Sequence, residues 1–580
     1  MTQITFQQLK KLSKTDASAL PQYSLAVLGD CATQHLATAL RGYGVSVGIR
    51  LNVFDADYDQ IDAQVMAPDS ELYRFAPQGV LLQMCTEKLQ EAFYDCPPEA
   101  RASFAEDTAE DTYARIRQIW SRIGSRIPAT VLQCNFPLID DGVFGQFGNK
   151  TEQSFLFQQR KLNYLLMQGC QEVKNTFLID LDALQTALGR STFADPKLYY
   201  VAKMPISLAA LPAAAKLVVD VVRSLQGAVK KCLVLDLDNT LWGGVIGDDG
   251  LSGIQIGELG TGHAFSDFQK WLKELKNRGI LLTVCSKNNE DTAKEPFEKH
   301  PEMVLRLEDF SMFVANWEDK ARNIRTIQQS LNIGMDSMVF LDDNPFEREL
   351  VRTMIPEITV PELPEDPALY LQYLRGLDLF ETASYSREDA GRTEQYREKA
   401  QRAAFEAAFQ SYDDYLEALQ MRASAAAFDP FHYPRIAQLT QRSNQFNLRT
   451  VRYTEAEIEA LAQDDSRIGL YFTLKDKFGD HGLISVVVLE KQPEDTLFIS
   501  EWLMSCRVLK RGMEEFIVDK ILSVAAQQGF RRVVGEYIPT PKNAMVKDLY
   551  EQLGFARLEN GRFQAEVSGF PYHKTFITEE

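Results

Sequence analysis

The apolar positions of the first 225 residues come in short runs that end on turn residues. "YSLAVLGD" (23–30), "ATVLQCNF" (129–136) and "NTFLID" (175–180) are three of them, and helical segments such as "EDTYARIRQIWSRIGSRI" lie between. Strands alternating with helices predict a parallel α/β sheet. A second set of runs begins near residue 230: "KCLVLDLD", "GILLTVCSK", "SMFVA", "DSMVFLDD" and "EITV". The first two are joined by "AFSDFQKWLKELKNRG", in which Phe265, Phe268, Leu272 and Leu275 share a helical face and Gly279 is placed to cap the end. This predicts a second α/β unit, closing where prolines crowd "PEITVPELPEDPALY".

Over 386–420 the composition shifts to Ala, Glu, Gln and Arg, which reads as a helical connector. Beyond it "IGLYFTLKDKFGDHGLISVVVLE" reads as strand, turn, strand. A strand in "TLFISEWLMSCRV", a helix in "GMEEFIVDKILSVAAQQG" and a strand in "FRRVVGEYI" follow. That order is mixed α+β. The expected organisation is an α/β protein of three domains, 1–225, 226–385 and 421–580, with the connector at 386–420.

Composition narrows the function classes. A length of 580 residues suits three or four domains at roughly 150 residues each. A hydrophobic content of 45% and a charged content of 25% are those of an ordinary globular protein. The net charge is -19, from 62 basic and 81 acidic residues. This argues against nucleic acid or an anionic membrane as a partner, since both want basic patches. The start shows no apolar leader segment, and "LAALPAAAKLVVDVV" (208–222) is too short and too interrupted by Pro212, Lys216 and Asp220 to span a bilayer. Eight cysteines without zinc spacing suit reduced thiols in the cytoplasm. Of the six histidines only His35 precedes residue 263, which limits histidine catalysis in the first domain.

The chemistry concentrates in "KCLVLDLDNTLWGGVIGDDG" (231–250). Two aspartates, Asp236 and Asp238, stand where a buried strand ends, and burying an unpaired carboxylate is costly. Ser286 ends the next run, Lys320 lies in "ANWEDKARN", and Asp342 and Asp343 end "SMVFLDD". In an open parallel sheet ligands bind outside the C-terminal strand ends, so these groups are expected to converge. Carboxylates without His or Cys ligands suit a hard cation, Mg²⁺ above all. One carboxylate beside the metal can act as nucleophile and another as acid and base. A hydroxyl and a lysine can hold phosphate oxygens.

With "DLDNT", a Ser after the second strand, a Lys and "LDDNP", the chain resembles the haloacid dehalogenase superfamily of phosphoryl-transfer enzymes, with a small flap in place of a cap. "DLDNTLWGGVIGDDG", "CSKNN", "FLDDNPFERE", "VPELPEDP" and "QRSNQFNLRT" (441–450) resemble its FkbH branch, over roughly residues 230 to 580. The resemblance implies Asp236 as nucleophile and Asp238 as general acid/base. It implies Mg²⁺ on Asp236, the backbone of Asp238 and Asp343, with Asp342 the neighbouring candidate. It further implies capture of the glyceryl group of 1,3-bisphosphoglycerate, loss of phosphate and delivery to the phosphopantetheine thiol of an acyl carrier protein. Cys285, just before Ser286, is offered as the thiol that carries a glyceryl thioester. The alternative is a small apolar residue finishing a buried strand, since adjacent strand residues face opposite ways.

Both flanks carry further resemblances. "LGDCATQHL" (28–36) is similar to the first block of the SGNH hydrolase fold, with Cys31 in the nucleophile's place. The late Asp-x-x-His finds only Asp195 followed by Leu198, so a docking domain without catalysis is expected. A helical Cys31–His35 pair is the alternative. The third domain resembles the GNAT-like acyltransferase fold. Its "RVLKRG" loop, with Arg507, Lys510, Arg511 and Gly512, is expected to cradle the phosphate of a pantetheine arm. Three readings remain at this stage: a glyceryl-carrier-protein synthase, a sugar-phosphate phosphatase of polysaccharide biosynthesis, and a scaffold whose sites have decayed.

Overall fold

The computed structural model describes residues 4–96, 101–385 and 411–580. They divide into two compact units, one ending at Val222 and one running from Arg223 to Glu580.

The first unit is built on five parallel strands: β1 (Gln22–Gly29), β2 (Arg50–Asp55), β3 (Gly79–Gln83), β4 (Thr130–Cys134) and β5 (Thr176–Ile179). Their spatial order is β2-β1-β3-β4-β5. β3 and β4 are buried at every position, as expected for strands covered on both faces. The order reverses between β1 and β3, and Asp30, Cys31 and Cys85 follow those two strands. β2 and β3 are absent from the runs read in the sequence. β2 alternates exposed and buried positions over its first four residues, and β3 is only five residues long.

The second unit holds two sheets. The smaller has four parallel strands: β6 (Cys232–Leu235), β7 (Leu281–Ser286), β8 (Phe310–Ala315) and β9 (Met338–Leu341), in the order β8-β7-β6-β9. The helix Gly260–Asn277 buries Phe265, Phe268, Leu272 and Leu275 on one side of it. The helix Lys320–Leu331 buries Ile324, Ile327 and Leu331 on the other. Gly279 follows the first helix with φ +96°, a left-handed turn that glycine adopts without a Cβ clash. The expected strand "EITV" does not form. Prolines flank it at 356 and 361, and only Thr359 makes a single bridge to Val339.

The larger sheet is mixed. It comprises β10 (Met421–Ala427), β11 (Arg467–Asp476), β12 (Gly479–Gln492), β13 (Thr496–Met504), β14 (Arg532–Gly535), β15 (Ala556–Arg557), β16 (Phe563–Glu566) and β17 (Ile577–Glu579). The order is β15-β16-β14-β13-β12-β11-β10-β17. β13 and β14 run parallel but pair only from Thr496 to Phe498. Beyond that point residues 446–448 lie between them. Leu448 N donates to Trp502 O at 3.1 Å, Met504 N to Phe446 O at 3.1 Å and Ile538 N to Leu448 O at 2.8 Å. Most of the expected connector, 386–410, lies outside the described residues; Tyr412–Ala418 is helical. Among the described residues no helix is long and apolar enough to cross a membrane.

Candidate active site

The small sheet runs from β6 to β7 and β8 on one side and returns to β9 on the other. The order therefore reverses between β6 and β9, where an open sheet presents its ligand crevice. Asp236 leaves β6 at this point. Its backbone N–H still bonds Leu341 O of β9 at 3.0 Å. The chain then turns tightly, with Leu237 O accepting from Thr240 and Leu241 and Asn239 in the left-handed region at φ +53°. Thr240 Oγ1 accepts the Asp343 N–H at 3.1 Å, tying the two strand ends together.

One carboxylate oxygen from each of Asp236, Asp342 and Asp343 lies within 4.8 Å of the others. Lys320 stands among them, at the start of a helix capped by the Asp319 side chain. Its Nζ is 3.0 Å from Asp236 Oδ1 and 2.6 Å from Asp342 Oδ2. Burial would lower the Lys320 ammonium, but Asp236 and Asp342 hold it above its usual range. Burial, and then the charge of Asp236, push Asp342 up to about 7. The same two causes raise Asp343. One lysine thus stands against three crowded carboxylates. Ser286 ends β7 and is buried.

Asp238 is held differently. Oδ1 accepts from Trp242 Nε1 and from Ile246 N, each at 3.0 Å, and Oδ2 accepts from Asn288 Nδ2 at 2.8 Å. Burial raises its carboxyl although these bonds lower it. Its side chain is not among the three clustered acids, which leaves only its backbone for a metal. The segment after Asp238, expected to be a small flap, is folded. Ile246–Asp249 form a short helix, and Gly243 pairs with Gln255.

Cys285 does not reach the crevice. It is fully buried in the apolar layer with Ile324 and Phe340, and its Sγ faces Lys320 O at 3.7 Å. Burial pushes the thiol up, so the thiolate that would form a thioester is disfavoured. This burial favours the alternative reading of Cys285, a small apolar residue finishing a buried strand. The alternation of strand side chains that sends Ser286 one way sends Cys285 the other.

Arg348 is a site residue the sequence reading missed. Its buried guanidinium donates to the carbonyls of Asp342 (2.9 Å) and Asp343 (2.6 Å) and to Glu362 Oε2 (2.9 Å). It lies in "FERE", four residues after Asn344, which caps the helix Pro345–Met354. An arginine inside a motif otherwise read for its acids was the available signal. Lys287, paired with Glu347 at 2.5 Å, and Asn288 were likewise overlooked within "CSKNN".

The pantetheine loop is occupied from within. Lys510 N donates to Glu514 Oε1 at 3.1 Å, and Lys510 O accepts from Tyr412. Arg511 is buried against Asp476 at 3.3 Å. Gly512, at φ +84°, precedes the helix Met513–Gln527. The side chain of Arg507 lies outside the described residues. A carboxylate from the chain itself therefore takes the backbone donor expected to meet a phosphate. The groove beside the loop, between β13 and β14, is filled by residues 446–448.

In the first unit Cys31 is buried with Cys85 and Tyr199. His35 is exposed and stacks on Phe6, ring centroids 5.4 Å apart, so no Cys31–His35 pair forms. Asp195 caps the helix Pro196–Ala202, and Leu198 lies on that helix.

The family model of the FkbH N-terminal domain matches residues 24–223. The N-terminal part of the protein BF1531 from Bacteroides fragilis, a crystal structure containing a phosphatase domain complexed with Mg, is 47% identical at a TM-score of 0.63; the match covers 66% of this chain and 100% of that one. The chain belongs to the FkbH-like family. The family match of this FkbH-like chain falls in the first unit, outside the residues on which the sequence resemblance rests. The ribosomal-protein-S18-alanine N-acetyltransferase from Escherichia coli (15% identity, TM-score 0.19) matches over 25% of the chain and 90% of its own. Spermidine N-acetyltransferase from Vibrio cholerae (16%, TM-score 0.21) matches over 26% and 98%. No curated protein matches the chain.

Proposed function

We propose that the acid cluster is a Mg²⁺-dependent phosphoryl-transfer site of haloacid dehalogenase type, working in the cytoplasm on a phosphorylated small molecule. The carrying observation is the convergence of Asp236, Asp342, Asp343 and Lys320 at the switch point of the small sheet. The donor set fits a hard cation: three carboxylates, no nitrogen or sulfur ligand, and burial and then mutual crowding that raise Asp342. The Mg in the Bacteroides fragilis structure supports the same reading. Asp236, Asp342 or Asp343, and the backbone of Asp238 would hold the ion. When bound, Mg²⁺ neutralises the cluster and binds phosphate oxygens.

Asp236 attacks phosphorus, and the bond from phosphorus to the leaving oxygen breaks. Asp238, whose carboxyl burial pushes up and which Trp242, Ile246 and Asn288 fix in place, gives that oxygen its proton. Lys320 and Ser286 hold the phosphoryl oxygens. A water that loses its proton to Asp238 then cleaves the phospho-aspartate and releases inorganic phosphate, returning both aspartates to their starting state.

The family resemblance supports a finer reading. The substrate is 1,3-bisphosphoglycerate: the phosphopantetheine thiol of an acyl carrier protein attacks the C1 acyl carbon and displaces inorganic phosphate, and the acid cluster removes the 3-phosphate, which leaves a glyceryl thioester on the carrier. The burial of Cys285 and the filled groove favour a second reading, a phosphatase acting on a sugar phosphate. Incubating the full chain with 1,3-bisphosphoglycerate and phosphopantetheinylated carrier protein, then weighing the carrier, separates the two. A glyceryl mass gain supports the first. Phosphate release from sugar phosphates with no gain establishes the second. We read the first unit as an SGNH-like docking domain; esterase turnover by the full chain, lost in Cys31→Ala, would refute that.

A further inference from the structure

"QRSNQFNLRT" is the motif that the phosphoryl site leaves without a task. It ends the helix Tyr433–Arg442 and continues into the segment that fills the groove beside β13. Arg435, Leu439 and Arg442 recur on this helix at spacings of four and three, which puts them on one face. That face forms a wall of a cavity of about 330 Å³ within the second unit. The opposite wall comes from the starts of β6 and β7 and from the turn before β9, with Lys231, Leu281 and Asp336. These are the N-terminal ends of the strands, so the cavity lies at the other end of the small sheet from the acid cluster.

The charge of the cavity sets it apart. Lys231, Arg435, Arg442 and Lys542 line it, against the single carboxylate of Asp336. In a chain of net charge -19 this is a marked concentration of cations. Lys542 pairs with Asp336, and Lys231 Nζ donates to Arg442 O at 2.8 Å. Arg435 is buried on the helix face and donates to Gln438. Phe446 and Met504 add an apolar stretch of wall. Guanidinium and ammonium groups in a concave, partly desolvated site recognise phosphate, and an apolar wall beside them accepts a short carbon chain.

We propose that this cavity binds a small organic phosphate, its anionic end among Lys231, Arg435 and Lys542 and its carbon chain against Phe446 and Met504, at a site separate from the acid cluster; Arg442, whose guanidinium donates to Thr382 Oγ1 (3.2 Å) and Ser384 O (3.1 Å), serves as wall. The inference holds whatever reaction the acid cluster performs. Cys506 reports on it. The residue is half-buried on the cavity wall, its Sγ 3.3 Å from Asn332 O. Cys96 and Cys170 are the other half-buried cysteines and line no part of the cavity.

The test is the rate at which N-ethylmaleimide alkylates Cys506 in the full chain, read by peptide mass spectrometry with chelator present and with Cys170 as internal reference. The probes are inorganic phosphate, glycerate 3-phosphate and phosphopantetheine. Mass action gives roughly tenfold slowing at Cys506 when a probe is near ten times its Kd, with Cys170 unchanged. Slowing by phosphate itself identifies the anionic end as the recognised part; slowing by phosphopantetheine alone identifies the chain as well. Lys542→Glu and Arg435→Gln should each weaken protection. Lys542 is exposed, so its variant keeps the test available where Arg435→Gln fails to fold. Unchanged alkylation with all three probes, or protection undiminished in Lys542→Glu, overturns the proposal.

Discussion

Lys320 shows what a buried ion network does at the scale of one residue. It is the cation that bridges Asp236 and Asp342, so Lys320→Met leaves two buried carboxyl groups facing each other. The metal-free variant should lose about 3–5 kcal/mol, measured by urea denaturation with chelator; a loss below 1 kcal/mol would show the network to be unimportant. Asp236→Asn removes the nucleophile. Its expected effect is a fall in kcat of roughly 10⁴-fold or more with an unchanged circular dichroism spectrum, and near-normal turnover would remove Asp236 from the reaction. Asp342 carries a pH signature. Its folded pKa, raised from 3.8 to about 7, gives stability that is present below pH 4 and lost as pH rises through 7. The metal-free protein should therefore show a fall in stability between pH 5 and 7.5 that is flattened in Asp342→Asn. A fall of equal size in both proteins would assign the slope to other groups.

The loops between strands and helices hold what the sequence concealed. "DLDNT" and "LDDNP" announced the acids because charges ending an apolar run break a pattern that can be read. Arg348 could not be read in this way, since two of its partners are backbone carbonyls that any residue presents. Replacing it with Lys should weaken Mg²⁺ affinity and activity by roughly 10- to 100-fold, as one ammonium cannot span both carbonyls and Glu362. Titration of activity against Mg²⁺ measures this, and an unshifted curve would discount the clamp. Cys285 was open to two readings, and its burial among Ile324 and Phe340 favours the apolar one. The glycine-rich stretch after Asp238 suggested mobility, yet the same residues supply the Trp242 and Ile246 donors that fix Asp238. In the first unit β3 escaped notice although, at five residues, it is as long as β4, which was read. Packing there is close: a Cβ on Gly42 would meet Leu9 O at 2.1 Å. Gly42→Ala should force the helix Phe6–Leu12 away from Gln34–Ser46, at about 1–3 kcal/mol. An unchanged melting curve would mean that the two helices can part freely.

On the scale of the whole molecule, an ion that binds only the folded acid cluster stabilises the chain by mass action. Mg²⁺ at a hundred times its Kd should add about 2.7 kcal/mol, seen as a higher Tm that Asp236→Asn largely removes; an equal rise in both proteins would place the ion elsewhere. The filled groove of the larger sheet bears on how the chain reaches this state. Asn543 Nδ2 bonds Asn447 O across 96 residues, and Asn447 is also bridged to Leu503. Both partners are made after the segment that needs them. During synthesis the apolar Phe446 and Leu448, with Asn447 between them, lack these backbone partners until β13 and then the stretch beyond β14 emerge. Contacts of such long range close late and slowly. In that interval the nascent chain exposes apolar surface and an unpaired strand segment, the condition under which partly folded chains misfold or aggregate.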